Sequence, residues 1–166
     1  MYSALILSTV FVEGCKKKIE EPATTMVAPP AAPSEPPPPP VVEMAKNFTR
    51  VYFDFDSSTL TSQSKSALDA NVQIMKDNGD IKLELQGHAD ERGTTDYNLA
   101  LGQRRANSVY QYMTAGGIPT SRLKVISYGE ERPRERGASE TAWAQNRRAE
   151  FVITWKGEAN VSGTDQ

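Results

Sequence analysis

The residues whose types invite chemistry lie in one run, Gly87 to Ala106, GHADERGTTDYNLALGQRRA. The run starts at the end of a strand-like stretch, crosses a polar loop and enters a helix. The loop supplies the acids Asp90 and Glu91. The helix supplies the bases Arg104 and Arg105, with Asn98 between. Asp90 and Arg105 are fifteen residues apart, whereas neighbours on one helix face are three or four apart. The carboxylate and the guanidinium therefore come from different elements. They can converge without quenching each other only if something sits between them. A ligand carrying both an ammonium and a carboxylate fits that gap, because an Asp accepts from an ammonium and an Arg fork grips a carboxylate at two points.

Other chemistries find less support. His88 is the only histidine and Cys15 the only cysteine, so no zinc set can be assembled and no metal or cofactor is expected. A hydrogen-bonding loop residue is the simpler reading of His88. Asp54 and Asp56 share a strand face, and a hydrolase could pair Asp56 with Asp90 or Glu91. Yet no nucleophile–base set accompanies them, and surrounding arginines hold carboxylates ionised rather than raise one for general-acid work. Asp56 more simply orders a turn. Arg104 reads as a surface charge, since adjacent helix residues point roughly 100° apart and only one of the pair can serve the site.

The elements that must position these groups can be traced in order. Arg50 to Phe55 alternates as a strand, with Val51, Phe53 and Phe55 on one face. Thr61 to Asn78 has helical spacing through Leu68, Val72 and Met75. Ile81 to Gln86 alternates as a second strand. A second helix runs from about Asp96 to Ala115, capped by Thr95 or Asp96. Its expected inward stripe is Leu99, Gly102, Ala106, Val109 and Met113, with Arg105 at the edge pointing along the surface toward the loop. Pro119 to Ser121 suggests a short turn. Leu123 to Tyr128 is a third strand and Glu130 to Arg136 a charged loop. Ser139 caps a short helix, Glu140 to Gln145. Arg148 to Trp155 is a fourth strand. The order βαβαβ(α)β predicts an α+β sandwich, a mixed four-stranded sheet with helices on one face.

The first quarter of the chain is a different polymer. Nine of the eleven prolines fall between Pro22 and Pro40, which excludes helix interior and sheet ladder there. Residues 1–14 have the apolar run of a signal peptide, too short to span a bilayer. Val12-Glu13-Gly14-Cys15 resembles a lipobox, so Cys15 is the expected lipidation site. Residues 15–46 then form a disordered proline-rich linker; its roughly 30 residues reach about 90 Å at ~3.1 Å each. A spacer is favoured over a PxxP ligand because a lipid-bearing cysteine stands just upstream. The globular domain is expected over 47–157 and a disordered tail over 158–166. From Met44 onward the chain has sixteen basic and sixteen acidic residues, a balance that argues against nucleic acid as a partner.

Five blocks stand in order: Tyr52-Phe53-Asp54-Phe55-Asp56, Gly87-His88-Ala89-Asp90-Glu91-Arg92-Gly93-Thr94, Tyr97-Asn98 through Leu101-Gly102 to Arg104-Arg105-Ala106, Ser127-Tyr128-Gly129-Glu130-Glu131 with Pro133, and Asn146-Arg147-Arg148-Ala149. Over about residues 48–155 they resemble the OmpA-like domain family, and within it the peptidoglycan-associated lipoproteins (Pal) of Gram-negative bacteria. The resemblance implies non-covalent binding of the peptidoglycan stem peptide through meso-diaminopimelate, and no enzymatic activity. By position, Asp90 matches the family acid that takes the ammonium and Arg105 the arginine that takes the carboxylate. Phe55, Asp56, His88, Thr94, Asn98 and Leu101 would complete the wall, with Arg147 nearby. It further implies a lipid anchor in the outer membrane, facing the periplasm. It also implies TolB and other Tol proteins as partners, and a role in envelope integrity and cell division.

Overall fold

The computed structural model describes residues 43–155 and 159–162. The signal, Cys15 and the proline-rich stretch lie outside the described residues. The strands are β1 (Val51–Tyr52), β2 (Lys82–His88), β3 (Leu123–Gly129), β4 (Arg148–Trp155) and β5 (Ala159–Ser162). The helices are α1 (Ser62–Asp77), α2 (Thr95–Ala115) and α3 (Glu140–Asn146), with a 3-10 turn over Thr120–Arg122. The sheet order is β1-β4-β2-β3, with β2 and β3 parallel and the other pairs antiparallel. The mixed sheet and its helices agree with the architecture expected from the sequence.

Each helix starts where a hydroxyl can cap it. Thr61 accepts from the Ser64 amide, Thr94 from the Tyr97 amide, and Ser139 from the Ala142 amide. The apolar face of α1 (Leu68, Val72, Met75) meets Val109 and Met113 of α2 and the inward strand residues Leu83, Leu85, Phe151 and Ile153. Buried Asn71 accepts from the Thr49 amide at 3.0 Å and donates to the Thr49 carbonyl at 2.9 Å, so the approach to β1 is pinned to α1 at no cost in unpaired groups.

Four expectations change. The folded unit begins before residue 47: residues 43–45 form a helical turn, Ala45 is fully buried, and Met44 packs against the core. The first strand is shorter than Arg50–Phe55. After Phe53 a turn closed from the Ser57 amide to the Asp54 carbonyl (3.3 Å) carries Phe55 out, leaving it 59% exposed instead of sharing a face with Val51 and Phe53. The inward stripe of α2 is rotated. Asn98, Leu101, Gly102, Arg105, Ala106, Val109 and Met113 are buried, and Leu99 is 44% exposed. Finally, Ala159–Ser162 is a strand where a tail was expected. β1 covers only Arg148 and Ala149 along one edge of β4, and β5 pairs the same edge from Val152 to Trp155, where backbone groups would otherwise be open.

The approach of α2 to the sheet needs glycine on both sides. A Cβ on Gly87 would overlap the Gly102 carbonyl, and one on Gly102 would overlap Ser127 Oγ. Gly87→Ala should therefore force α2 off β2, at a cost of about 2 kcal/mol or more. Urea unfolding would show this as a lowered midpoint; an unchanged midpoint would mean that the helix can slide freely.

Candidate functional site

The turn after β1, the loop after β2 and the first turns of α2 meet at a half-open cleft of ≈ 220 Å³. Its lining is Phe55, Asp56, Asp90, Arg92, Gly93, Tyr97, Asn98 and Leu101. Five of these were expected from the sequence: Phe55, Asp56, Asp90, Asn98 and Leu101. Asp56 sits at φ +51°, a left-handed conformation unusual for a non-glycine residue, and its carboxylate accepts from the Tyr97 hydroxyl. The strained turn and this hydrogen bond together hold the cleft's outer rim. Asn98, 1% exposed, donates to Glu130 at 2.5 Å, and Thr95 donates to the same carboxylate at 2.9 Å. Glu130 thus ties the charged loop to the start of α2.

Asp90 is the acid at the floor, 5% exposed. Its Oδ1 accepts from the Arg92 amide (3.1 Å) and Nε (3.1 Å), and its Oδ2 from Arg92 Nη2 (2.7 Å), while Arg147 Nη1 lies 3.5 Å from Oδ2. Burial alone would raise its pKa. The hydrogen bonds from Arg92, with the charges of Arg92 and Arg147, outweigh burial and hold it below the ordinary carboxylate value. An acid so held is ionised at neutral pH. It can accept from a cation, but it is poorly suited to donate a proton.

Three expected site residues lie elsewhere. Arg105 does not point along the surface: it is fully buried beneath the cleft. Nε donates to the Ser57 carbonyl (2.8 Å), Nη1 to His88 O (2.8 Å) and Nη2 to Asp54 O (3.1 Å). Its pKa is lowered to about 10 by burial, with the Asp90 charge acting the other way. It joins the Phe55–Asp56 turn to the end of β2, and so builds the floor it was expected to protrude from. His88 is not a hydrogen-bonding loop residue. It is 1% exposed, stacks on Tyr128 at 5.7 Å, and neither ring nitrogen has a hydrogen-bond partner among the described residues. It turns to the helix-free face because it alternates with Gly87, which meets α2. Thr94 serves as the α2 cap. Arg147 does stand beside the site, donating to Phe53 O (3.1 Å) and Glu140 (2.8 Å) as well as facing Asp90.

The sequence reading missed Arg92, Tyr97 and Trp143. The Arg92 guanidinium lies 4.1 Å from the Phe55 ring centre and 4.1 Å from that of Trp143, and Trp143 Nε1 donates to Glu91 at 3.0 Å. A signal existed for Arg92: an Asp commonly accepts from the amide two residues on, which brings that residue's side chain back over it.

The cleft lies within a segment that known proteins share. The sequence profile described as the OmpA family matches residues 52–147. The chain belongs to the OmpA family. All nine expected ligand-binding positions, Phe55 through Arg147, fall inside that OmpA-family segment. A peptidoglycan-associated lipoprotein of Pseudomonas putida is 47% identical over 103 residues, 62% of this chain and 61% of that relative's length. The chain thus spans about three-fifths of that relative's length. The crystal structure of the peptidoglycan-associated lipoprotein from Burkholderia pseudomallei aligns with a TM-score of 0.62 at 40% identity, over 64% of this chain and 90% of that one. The C-terminal domain of Helicobacter pylori MotB, 17% identical, shares the OmpA-family fold with a TM-score of 0.60, over 64% of this chain and 83% of that one.

Proposed function

We propose that this chain is a non-covalent peptidoglycan-binding lipoprotein, not an enzyme. In this reading it is anchored by lipid at Cys15 in the outer membrane on its periplasmic face. It holds the cell wall through the diaminopimelate of the stem peptide. The observation that carries the reading is Asp90, a buried and ionised carboxylate at the floor of a half-open cleft walled by Phe55, Tyr97 and Leu101. Such a floor suits the distal ammonium of diaminopimelate, and the apolar wall suits its methylene stem. Arg105 was expected to fork onto the distal carboxylate. Here it works from below, shaping the floor and adding positive potential beneath the ligand. TolB and the other Tol proteins, and a part in cell division, belong to the same proposal through the family resemblance. The hydrolase alternative, Asp90 or Glu91 with Asp56, is disfavoured because the depressed Asp90 carboxylate is a weak general acid at neutral pH, while Glu91 is engaged by Trp143 and Asp56 by Tyr97.

Asp90→Asn keeps the shape of the floor and removes its charge. Calorimetric titration with a diaminopimelate stem peptide should show at least a hundredfold loss of affinity, on the order of 3 kcal/mol for one partner of a desolvated charge pair. The lysine counterpart peptide keeps the amine and lacks the distal carboxylate, and should bind the native protein more weakly. If Asp90→Asn binds the diaminopimelate peptide as well as the native protein does, the cleft is not the site.

A further inference from the structure

The acidic floor is already occupied by a cation of the chain itself. Asp90 receives the Arg92 guanidinium edge-on through Nε and Nη2, on the same carboxylate oxygens that an external ammonium would have to take. Two rings hold that guanidinium face-on, Phe55 from the turn after β1 and Trp143 from α3. Yet Arg92 is not built in as Arg105 is. Its side chain is 30% exposed, it lies in the loop between β2 and α2, and Gly93 follows at φ +113°, a conformation that favours glycine. A second acid also waits within reach. Glu140 Oε2 is 3.6 Å from Arg92 Nη1, and the Glu140 side chain is 64% exposed. Arg147 bonds Glu140 and faces Asp90, so it marks the short path between the two acids.

We propose that Arg92 is a displaceable internal occupant of the ammonium seat. Binding of an amine-bearing ligand is then an exchange, in which the ligand's ammonium takes Asp90 and Arg92 swings toward Glu140. This rests on the stem-peptide reading of the cleft and adds its regulation. The competitor is intramolecular and always present, so it reduces the affinity of every ligand cation by the same factor. A ligand without a free ammonium cannot make the exchange. The Asp90 seat, which needs an ammonium, thus excludes acylated stem peptides, and the standing Arg92 contact keeps a wall contact reversible.

The test uses the native full chain and Arg92→Met, which keeps the side chain's length and removes its charge. Each is titrated with the diaminopimelate stem peptide and with the same peptide acetylated on its side-chain amine. The expected result is at least tenfold tighter binding of the free-amine peptide by Arg92→Met, and no binding of the acetylated peptide by either protein. Arg92→Lys, whose ammonium cannot bond Asp90 as a two-pronged fork, should tighten binding by less, and it covers the case in which Arg92→Met misfolds. If the native protein binds the free-amine peptide and Arg92→Met binds it equally or more weakly, the exchange is overturned while the cleft reading stands. If neither protein binds it, both fall.

Discussion

Replacing Arg105 with Met should lower stability by about 3–5 kcal/mol, and any loss of ligand binding should follow from that loosening. The side chain is fully buried, and its three nitrogens donate to backbone carbonyls of two stretches, Asp54 and Ser57 in the turn after β1 and His88 at the end of β2. A methionine fills similar volume but leaves the His88 carbonyl without this donor in a buried setting, and it frees the half-buried carbonyls of Asp54 and Ser57 from the helix. Each such loss costs about 1–3 kcal/mol, so three of them together reach about 3–5 kcal/mol with the partial exposure of two. The turn bearing Phe55 and Asp56 loses two of its ties, so the cleft rim should loosen as well. Arg105→Lys can restore one of the three bonds and should recover only part of the loss. Chemical denaturation with titration of the same samples separates the alternatives. Unchanged stability with abolished binding would return Arg105 to the role of direct carboxylate receptor.

The second large effect is expected in acid. His88 is pushed from 6.5 down to about 3, by burial first, then by the charges of Arg148, Arg132 and Arg50, with Glu150 pulling the other way. The native state therefore refuses a proton that the unfolded chain binds from pH 6.5 downward. Where the unfolded state binds more protons, stability rises with pH. Hence stability should fall by about 1.4 kcal/mol per pH unit as the pH drops from 6.5 toward 3. Asp90 and Glu150, both held below their ordinary values, add losses only once the pH reaches the carboxylate range. The window from pH 6.5 to 4.5 thus isolates the histidine. His88→Phe keeps the stack on Tyr128 and removes two unpaired ring nitrogens, so it should be at least as stable as the native protein at pH 7. Its stability should also be nearly flat across that window. A parallel slope in both proteins would assign the acid sensitivity elsewhere.

The cleft was more legible in sequence than the roles of its residues. The Asp90 loop, the capped helices and the alternation in β2 and β4 all carry local signals, because caps, turns and strand faces depend on residues a few positions apart. Phe55 read as sharing a strand face with Val51 and Phe53 because alternation extrapolates, and nothing local to it announces the turn at Asp54. The stripe of α2 held at Gly102, Ala106, Val109 and Met113 and failed at Leu99, because hydrophobic periodicity assigns apolar residues to the inside. Here Asn98 and Arg105 take the inside and Leu99 takes the outside. The two polar residues are tolerated there because Glu130 and three backbone carbonyls, distant in sequence, satisfy them.

Sequence alone therefore determined the order of the elements from β1 to β4, the family and the acid at the floor of the cleft. Tertiary structure decided which cation meets that acid. Arg105 and Arg92 are alike in charge and reach, and spacing favoured the one fifteen residues away. Arg105 lies on the face of α2 that packs against the sheet, so burial binds it to carbonyls. Arg92 lies in a loop, where two aromatic rings from remote segments hold it over Asp90. Which of two equivalent charges is buried depends on how a helix is rolled against a sheet, and contacts between segments set that roll.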